Sequence, residues 1–166
     1  MATTIDGFVA REDDRTDFVS EIEWKSFRAM VKRVGNIVIG RRTFELMEKG
    51  NELPDLDEVT VVVVTSHEFF VSDSRIQVVN SPGQALDLLR GKNFKQALVA
   101  GGGTINASFM EQKSIDEIFL DVEPVALGDG IKLFSGKAFD VKLKLLGVKH
   151  LSKNELQLHY RVLNKN

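Results

Sequence analysis

Two glycine turns hold the residues whose types and spacing point most clearly to chemistry. Gly101-Gly102-Gly103-Thr104 follows the apolar run Ala97-Leu98-Val99-Ala100 and precedes Ile105-Asn106-Ala107-Ser108-Phe109. Gly40-Arg41-Arg42-Thr43 follows Asn36-Ile37-Val38-Ile39 and precedes Phe44-Glu45-Leu46-Met47. Each reads as a short buried strand, a glycine turn and a helix start. Such a turn delivers backbone without side chains to a helix N-terminus, where unpaired N–H groups and the positive end of the dipole attract anions. Two such ends, one carrying an arginine pair, fit a ligand with several phosphates. A dinucleotide is the economical candidate. Gly101-x-Gly103-x-x-Asn106 lacks the third glycine of a Rossmann fingerprint, and no Gly-Lys-Ser/Thr of a P-loop occurs.

Groups able to move a proton or bind a metal are few. With no cysteine there is no thiolate nucleophile, thiolate metal site or disulfide. No His-Glu-x-x-His occurs, and His67, His150 and His159 have no partner at ligand spacing, so no metal is expected. The acids left as candidates are Asp6, before Gly7, and Glu21 and Glu23 in the first helix. Asp6 could equally cap the turn at Gly7, and Glu21 and Glu23 could equally be solvated helix positions.

The elements that must position these residues follow from periodicity. The polar stretch Arg11 to Thr16 is a loop, and Thr16 or Asp17 is the expected cap of a first helix. Phe27, Met30, Val31 and Val34 share a helical face, and Gly35 stops it. Thr60-Val61-Val62-Val63-Val64-Thr65 has no alternation, as expected of a strand covered on both faces. Ile76-Gln77-Val78-Val79 is another strand. Ser81, Pro82 and Gln84 then open a helix as N-cap, N1 and N3, closed by Gly91. Glu117 to Val122 is a strand followed by the loop Pro124 to Gly130. Val141, Leu143 and Leu145 alternate, as do Leu156, Leu158, Tyr160 and Val162, with a turn near Ser152-Lys153-Asn154. Those two runs predict a terminal antiparallel hairpin. Strand–helix units followed by antiparallel strands imply a three-layer α/β fold around a mixed, mostly parallel sheet.

Composition narrows the class. The 166 residues read as one domain, 1–166, and carry 43% apolar and 28% charged residues, ordinary for a globular chain. A formal charge of −2 argues against a nucleic-acid binder. No apolar run approaches a membrane span and no signal-like start is evident, so a cytoplasmic protein is expected. Only three residues precede Thr4, which makes the first strand short.

The extended motifs are more specific than the glycine spacing. Ile37-Val38-Ile39-Gly40-Arg41-Arg42-Thr43-Phe44-Glu45 resembles the dihydrofolate reductase segment V-x-M-G-R-x-T-[WFY]-E. Val99 to Phe109 is similar to the glycine loop of the riboflavin-pathway reductases (the RibD C-terminal domain type), V-E-G-G-G-x-L-N-x-S-[FL]. The similarity continues through Ile115-Asp116-Glu117 and through Pro124 to Phe134. Thr4-Ile5-Asp6-Gly7-Phe8-Val9-Ala10 resembles the opening S-[LIV]-D-G-x-[IV]-A of that superfamily.

The resemblance implies a dihydrofolate reductase-like fold, NADPH, and hydride transfer to a pyrimidine or pterin. On it, Gly40, Arg41, Arg42 and Thr43 would hold the pyrophosphate and the 2′-phosphate. Thr65 and Ser66 would lie along the adenosine. Gly101, Gly102, Gly103 and Thr104 would meet the pyrophosphate, with Ile105 beside them. Thr4, Asp6, Gly7 and Trp24 would lie near the substrate, with Glu23 and Asp6 as candidates for the catalytic acid. Counting back from Gly40 places Trp24 where dihydrofolate reductases keep their acid, and a shift of one residue places Glu23 there. The riboflavin-pathway Asp-Asp-Pro after the G-x-x-T turn is replaced by Glu45-Leu46-Met47-Glu48. The leading expectation is a reductase of the 5-amino-6-(5-phosphoribosylamino)uracil type. A dihydrofolate reductase and a catalytically silent NADP-binding protein are the alternatives. Its relatives are usually homodimers, and the hairpin or the Pro124 loop would supply the contact.

Overall fold

The valine run forms the middle of a parallel sheet. In the computed structural model, which describes residues 1–163, strand β4 (Thr60–Val64) lies between β3 (Asn36–Gly40) and β5 (Ile76–Val79), both parallel to it. Each face is covered, so both sets of alternating side chains are apolar. On one face Ile37, Ile39, Val61 and Val63 pack with Val31 of helix α1 (Glu21–Val34) and with Phe44 and Met47 of α2 (Arg41–Lys49). On the other, Val38, Val62 and Val64 pack with Ala85 and Leu89 of α3 (Pro82–Gly91) and Phe109 of α4 (Gly103–Glu111).

The segment 97–100 runs parallel to β3 on its far side: Val38 N–H donates to Leu98 O at 2.7 Å, and Ala100 N–H to Val38 O at 2.9 Å. Asn36 fastens it further. Its Nδ2 donates to Gln96 O at 2.8 Å and its Oδ1 accepts from Leu98 N–H at 3.2 Å.

A second sheet has the order β1 (Ala2–Thr4), β6 (Glu117–Glu123), β9 (Leu156–Leu163), β8 (Lys142–His150). The pair β1–β6 is parallel and the remaining pairs antiparallel, so the terminal hairpin forms as expected. A small antiparallel pair joins β2 (Phe8–Ala10) to β7 (Ile131–Lys132).

Two sequence expectations need correction. The first helix begins at Glu21, capped by Ser20, whose Oγ accepts from Glu23 N–H at 3.0 Å. Thr16 and Asp17 cannot cap it. Asp17 is held by Arg11 Nε at 2.6 Å, and Val19 N–H closes a turn onto Thr16 O at 2.9 Å. Gly91 belongs to α3, and Lys92 ends it. The cap at the other end is as expected, with Ser81 Oγ accepting from Gln84 N–H.

Candidate active site at the carboxyl ends of the strands

Topology decides where the glycine turns lie. From β3 the chain moves one way along the sheet to β4 and β5, then returns through α3 to place 97–100 on the opposite side of β3. The carboxyl ends of β3 and 97–100 therefore flank a point where strand order reverses, the usual ligand crevice of open α/β sheets. Gly40 and Gly101 stand at those two ends, and Gly40 N–H donates to Gly101 O at 2.8 Å. The N-termini of α2 and α4 thus open side by side, as the sequence motifs require. Both helices are capped by glycine, with no side chain satisfying their first N–H groups.

The three glycines of the second turn have different roles. Gly101 has φ +97°, a conformation that side chains resist. At Gly103 a Cβ would sit 2.2 Å from Lys132 O, so β7 can reach the turn only because there is no side chain. Gly102 has φ −65°, ordinary for any residue, and a Cβ there would meet only Thr43 Oγ1, at 3.4 Å. Its missing side chain is not demanded by packing. It leaves open space between the two helix ends, which suits a pyrophosphate. Ile105 locks the turns together, lying within 2.9 Å of where a Gly40 Cβ would be. Thr104 is exposed in the first turn of α4.

The arginines carry carboxylate partners. Arg41 reaches Glu45 at 2.5 Å, one helical turn on, and Arg42 pairs with Asp14 of the polar loop. Both arginines are substantially exposed, so neither pair is strongly held and either can yield to a phosphate. Thr65 and Ser66 follow β4 at the same sheet edge. Thr65 is buried and its Oγ1 accepts from His67 N–H at 3.1 Å, while Ser66 is exposed.

Helix α1 runs into β3, so its N-terminus also lies at this end of the sheet, with Glu23 in its first turn. Glu23 is only 3% exposed. Burial pushes its carboxyl up to about 7, opposed by the Met1 ammonium and assisted by the neighbouring Asp121 and Glu123. Asp121 and Glu123 on β6 and Glu155 before β9 are buried too. Glu123 Oε1 accepts from Ser20 N–H at 3.0 Å, fixing the entry to α1, and Gln157 Nε2 donates to Asp121 at 2.8 Å. The sequence reading missed this group. Its available signal was alternation: Phe119, Asp121 and Glu123 share one face of β6, which places two acids on an inward row. Trp24, next along α1, has its ring stacked on Phe27 at 5.3 Å and beneath the Arg28 guanidinium at 5.8 Å. Its Nε1 donates to Asp55 at 3.4 Å.

Asp6 is already committed. Its Oδ1 accepts from Thr4 Oγ1 at 2.5 Å, and its Oδ2 accepts from the N–H groups of Leu127 and Gly128 at 3.0 and 2.8 Å. The Thr4 hydroxyl and these N–H groups hold its carboxyl below the usual range, so it is a poor proton donor near neutrality. The turn through Asp6 and Gly7 instead anchors the loop 124–130 beside the carboxyl end of β1. His159 stacks on Phe119 at 4.0 Å and meets Glu117 at 2.9 Å. Among the described residues no group of histidines and acids forms a metal site.

Paired helix ends at a switch point, with a buried acid at the same sheet edge, are those of a dihydrofolate reductase-like α/β domain. Comparison with known proteins agrees. Residues 1–156 match the RibD C-terminal domain, and the chain belongs to that family. It is 29% identical over 164 residues to the uncharacterized protein YwjB of Bacillus subtilis (strain 168), covering 96% of this chain and 94% of that one. A Thermotoga maritima diaminohydroxyphosphoribosylaminopyrimidine deaminase/5-amino-6-(5-phosphoribosylamino)uracil reductase superposes with TM-score 0.76 at 19% identity. There the match covers 98% of this chain and 55% of that one. Enterococcus faecalis dihydrofolate reductase, in complex with NADP(H), superposes with TM-score 0.71 at 17% identity over 98% of this chain and 94% of that one.

Proposed function

We propose that the protein is an NADPH-dependent reductase that transfers a hydride to a pyrimidine of the 5-amino-6-(5-phosphoribosylamino)uracil type. The observation that carries this reading is the meeting of the Gly40 and Gly101 turns at the switch point, with Glu23 at the same sheet edge. The open space at Gly102 and the exposed Arg41 fit a dinucleotide carrying an extra phosphate. Gly40 to Thr43, Gly101 to Thr104 and Ile105 would hold it, with Thr65 and Ser66 along its adenosine side. When bound, that cofactor supplies the hydride. The chain supplies position and a proton. Holding the acceptor against the cofactor removes most of the orientational cost of transfer, and Trp24 and Thr4 would bound the acceptor. Glu23, poised near neutral pH, is the group able to donate a proton to the reduced substrate. A dihydrofolate acceptor is the second reading, favoured by an acid in the first turn of α1.

The test is incubation of the protein with NADPH and each acceptor while the nicotinamide absorbance is followed. Oxidation with the ribosylaminopyrimidine supports the reading. Oxidation with dihydrofolate alone selects the second. Binding without oxidation of either points to a silent nucleotide-binding protein.

Arg41 sets the cofactor preference. The 2′-phosphate of NADPH bears close to two negative charges, which a guanidinium meets with several donors. Removing one such charged hydrogen bond costs roughly 1.5–3 kcal/mol. Arg41→Ala is therefore expected to weaken NADPH by about ten- to a hundredfold and NADH hardly at all. Fluorescence titration with each cofactor measures this. Equal losses for both would remove Arg41 from the 2′-phosphate.

A further inference from the structure

Two buried acids stand beside Glu23 with no part in the chemistry above. Glu123, the last residue of β6, is 2% exposed, and Glu155, at the tip of the β8–β9 hairpin, is 7% exposed. The Glu155 carbonyl closes that tip, accepting from Leu151 N–H at 3.0 Å. Its carboxyl lies in hydrogen-bonding contact with the Glu123 carboxyl, and both adjoin Ser20, the cap of α1. Through Ser20 the pair reaches Glu23. Glu123 Oε1 accepts from Ser20 N–H at 3.0 Å, and Ser20 Oγ accepts from Glu23 N–H at 3.0 Å.

Two ionised carboxylates cannot make such a contact. Each only accepts hydrogen bonds, and like charges held together out of water repel. No cation is among the groups acting on either carboxyl, and the nearby acids Glu23 and Asp121 add negative charge. Glu155 Oε2 is buried and, among the described residues, has no hydrogen-bond partner. An orphan acceptor is costly. One proton on Glu123 supplies the missing donor and removes the repulsion together. The surroundings favour that placement. Burial raises the Glu123 carboxyl above its ordinary value, while the Ser152 and Ser20 hydroxyls hold Glu155 below its own.

We propose that Glu123 and Glu155 share one proton across neutral pH, Glu123 donating to Glu155 Oε2, and that they are a positioning pair for Glu23. The bond ties the hairpin tip to the start of α1, so the turn carrying Glu23 is fixed from two sides. The positioning role rests on the reductase reading, whereas the shared proton does not.

The test follows the Glu23 ionisation by carbon-13 NMR of its carboxyl in variants of the full 166-residue chain. Glutamine imitates a protonated glutamate. Glu123→Gln therefore keeps the donor to Glu155, the acceptor for Ser20 N–H and the single negative charge of the pair. Glu155→Gln keeps that charge too, because Glu123 then gives up its proton and accepts from the new amide. Each single variant is expected to leave the Glu23 midpoint at about 7. The double variant removes the remaining charge and is expected to lower that midpoint by roughly half a pH unit or more. A lowered midpoint in each single variant would reveal two carboxylates and overturn the shared proton. No change in the double variant would overturn the action of the pair on Glu23.

Glu155→Ala tests the positioning role. Exchange of the Ser20 and Glu23 amides is expected to quicken about tenfold, and turnover with NADPH to fall about tenfold. The conservative Glu123→Gln is expected to keep both at the wild-type level. Unchanged turnover in Glu155→Ala would overturn the positioning role. An unmodified chain that reduces neither acceptor would refute the reductase reading instead, and the NMR midpoints would still decide the shared proton.

Discussion

Gly102→Val is expected to leave the fold intact and to weaken NADPH binding by at least about tenfold, or ~1.4 kcal/mol. The neighbouring Gly103→Val is expected to lose the fold. The contrast comes from geometry. At Gly102 the backbone is one that valine accepts, and a Cβ has room beside Thr43. The added methyl groups then occupy the space between the α2 and α4 N-termini, where the pyrophosphate of the proposed cofactor would lie. At Gly103 the Cβ would overlap the Lys132 carbonyl, a backbone atom that cannot rotate away, and overpacking of this kind costs about 3 kcal/mol or more. Circular dichroism melts and NADPH titration of both variants separate the two effects. A folded Gly102→Val with unchanged affinity would remove the pyrophosphate from this turn.

Glu23→Gln is expected to reduce turnover about a hundredfold with little change in NADPH affinity, within the usual range for loss of a general acid. The wild-type rate should fall as pH rises through about 7, where Glu23 loses its proton, and the variant should lack that ionisation. Stability carries the same signature. Because the folded carboxyl sits above its ordinary value, its favourable contribution is complete below the ordinary carboxylate range. It is lost as pH rises through about 7. A shift of this size corresponds to about 3 kcal/mol. Urea midpoints at pH ~5 and ~8 should therefore fall for the wild type and stay level for Glu23→Gln, which becomes the more stable chain at the higher pH. Unchanged kinetics beside this stability change would make Glu23 a buried structural acid and send the proton through water.

The two glycine turns were legible because they are written in contiguous residues. Gly40 to Thr43 and Gly101 to Ile105 each combine strand, turn and helix start, so local chemistry states what each end can bind. Their meeting depends on the crossover through α3, which no local motif encodes. The acids near those turns are assembled from distant segments. Asp6 looked available in sequence because its partners, Leu127 and Gly128, lie more than a hundred residues away. Glu23 gave no sign of burial until β6 supplied Asp121 and Glu123 opposite it. The start of α1 was misjudged for a related reason. Thr16 and Asp17 are competent caps, but the Arg11 and Arg15 ion pairs hold that stretch as a loop, and Ser20 takes the position next to Glu123.

Calorimetric titration of the unmodified protein with NADPH and with NADH tests the cofactor site most directly. Saturable binding of one NADPH per chain, at least about tenfold tighter than NADH and narrowing with added salt, is the expected result. Equal affinity for the two, or binding of neither, would contradict it.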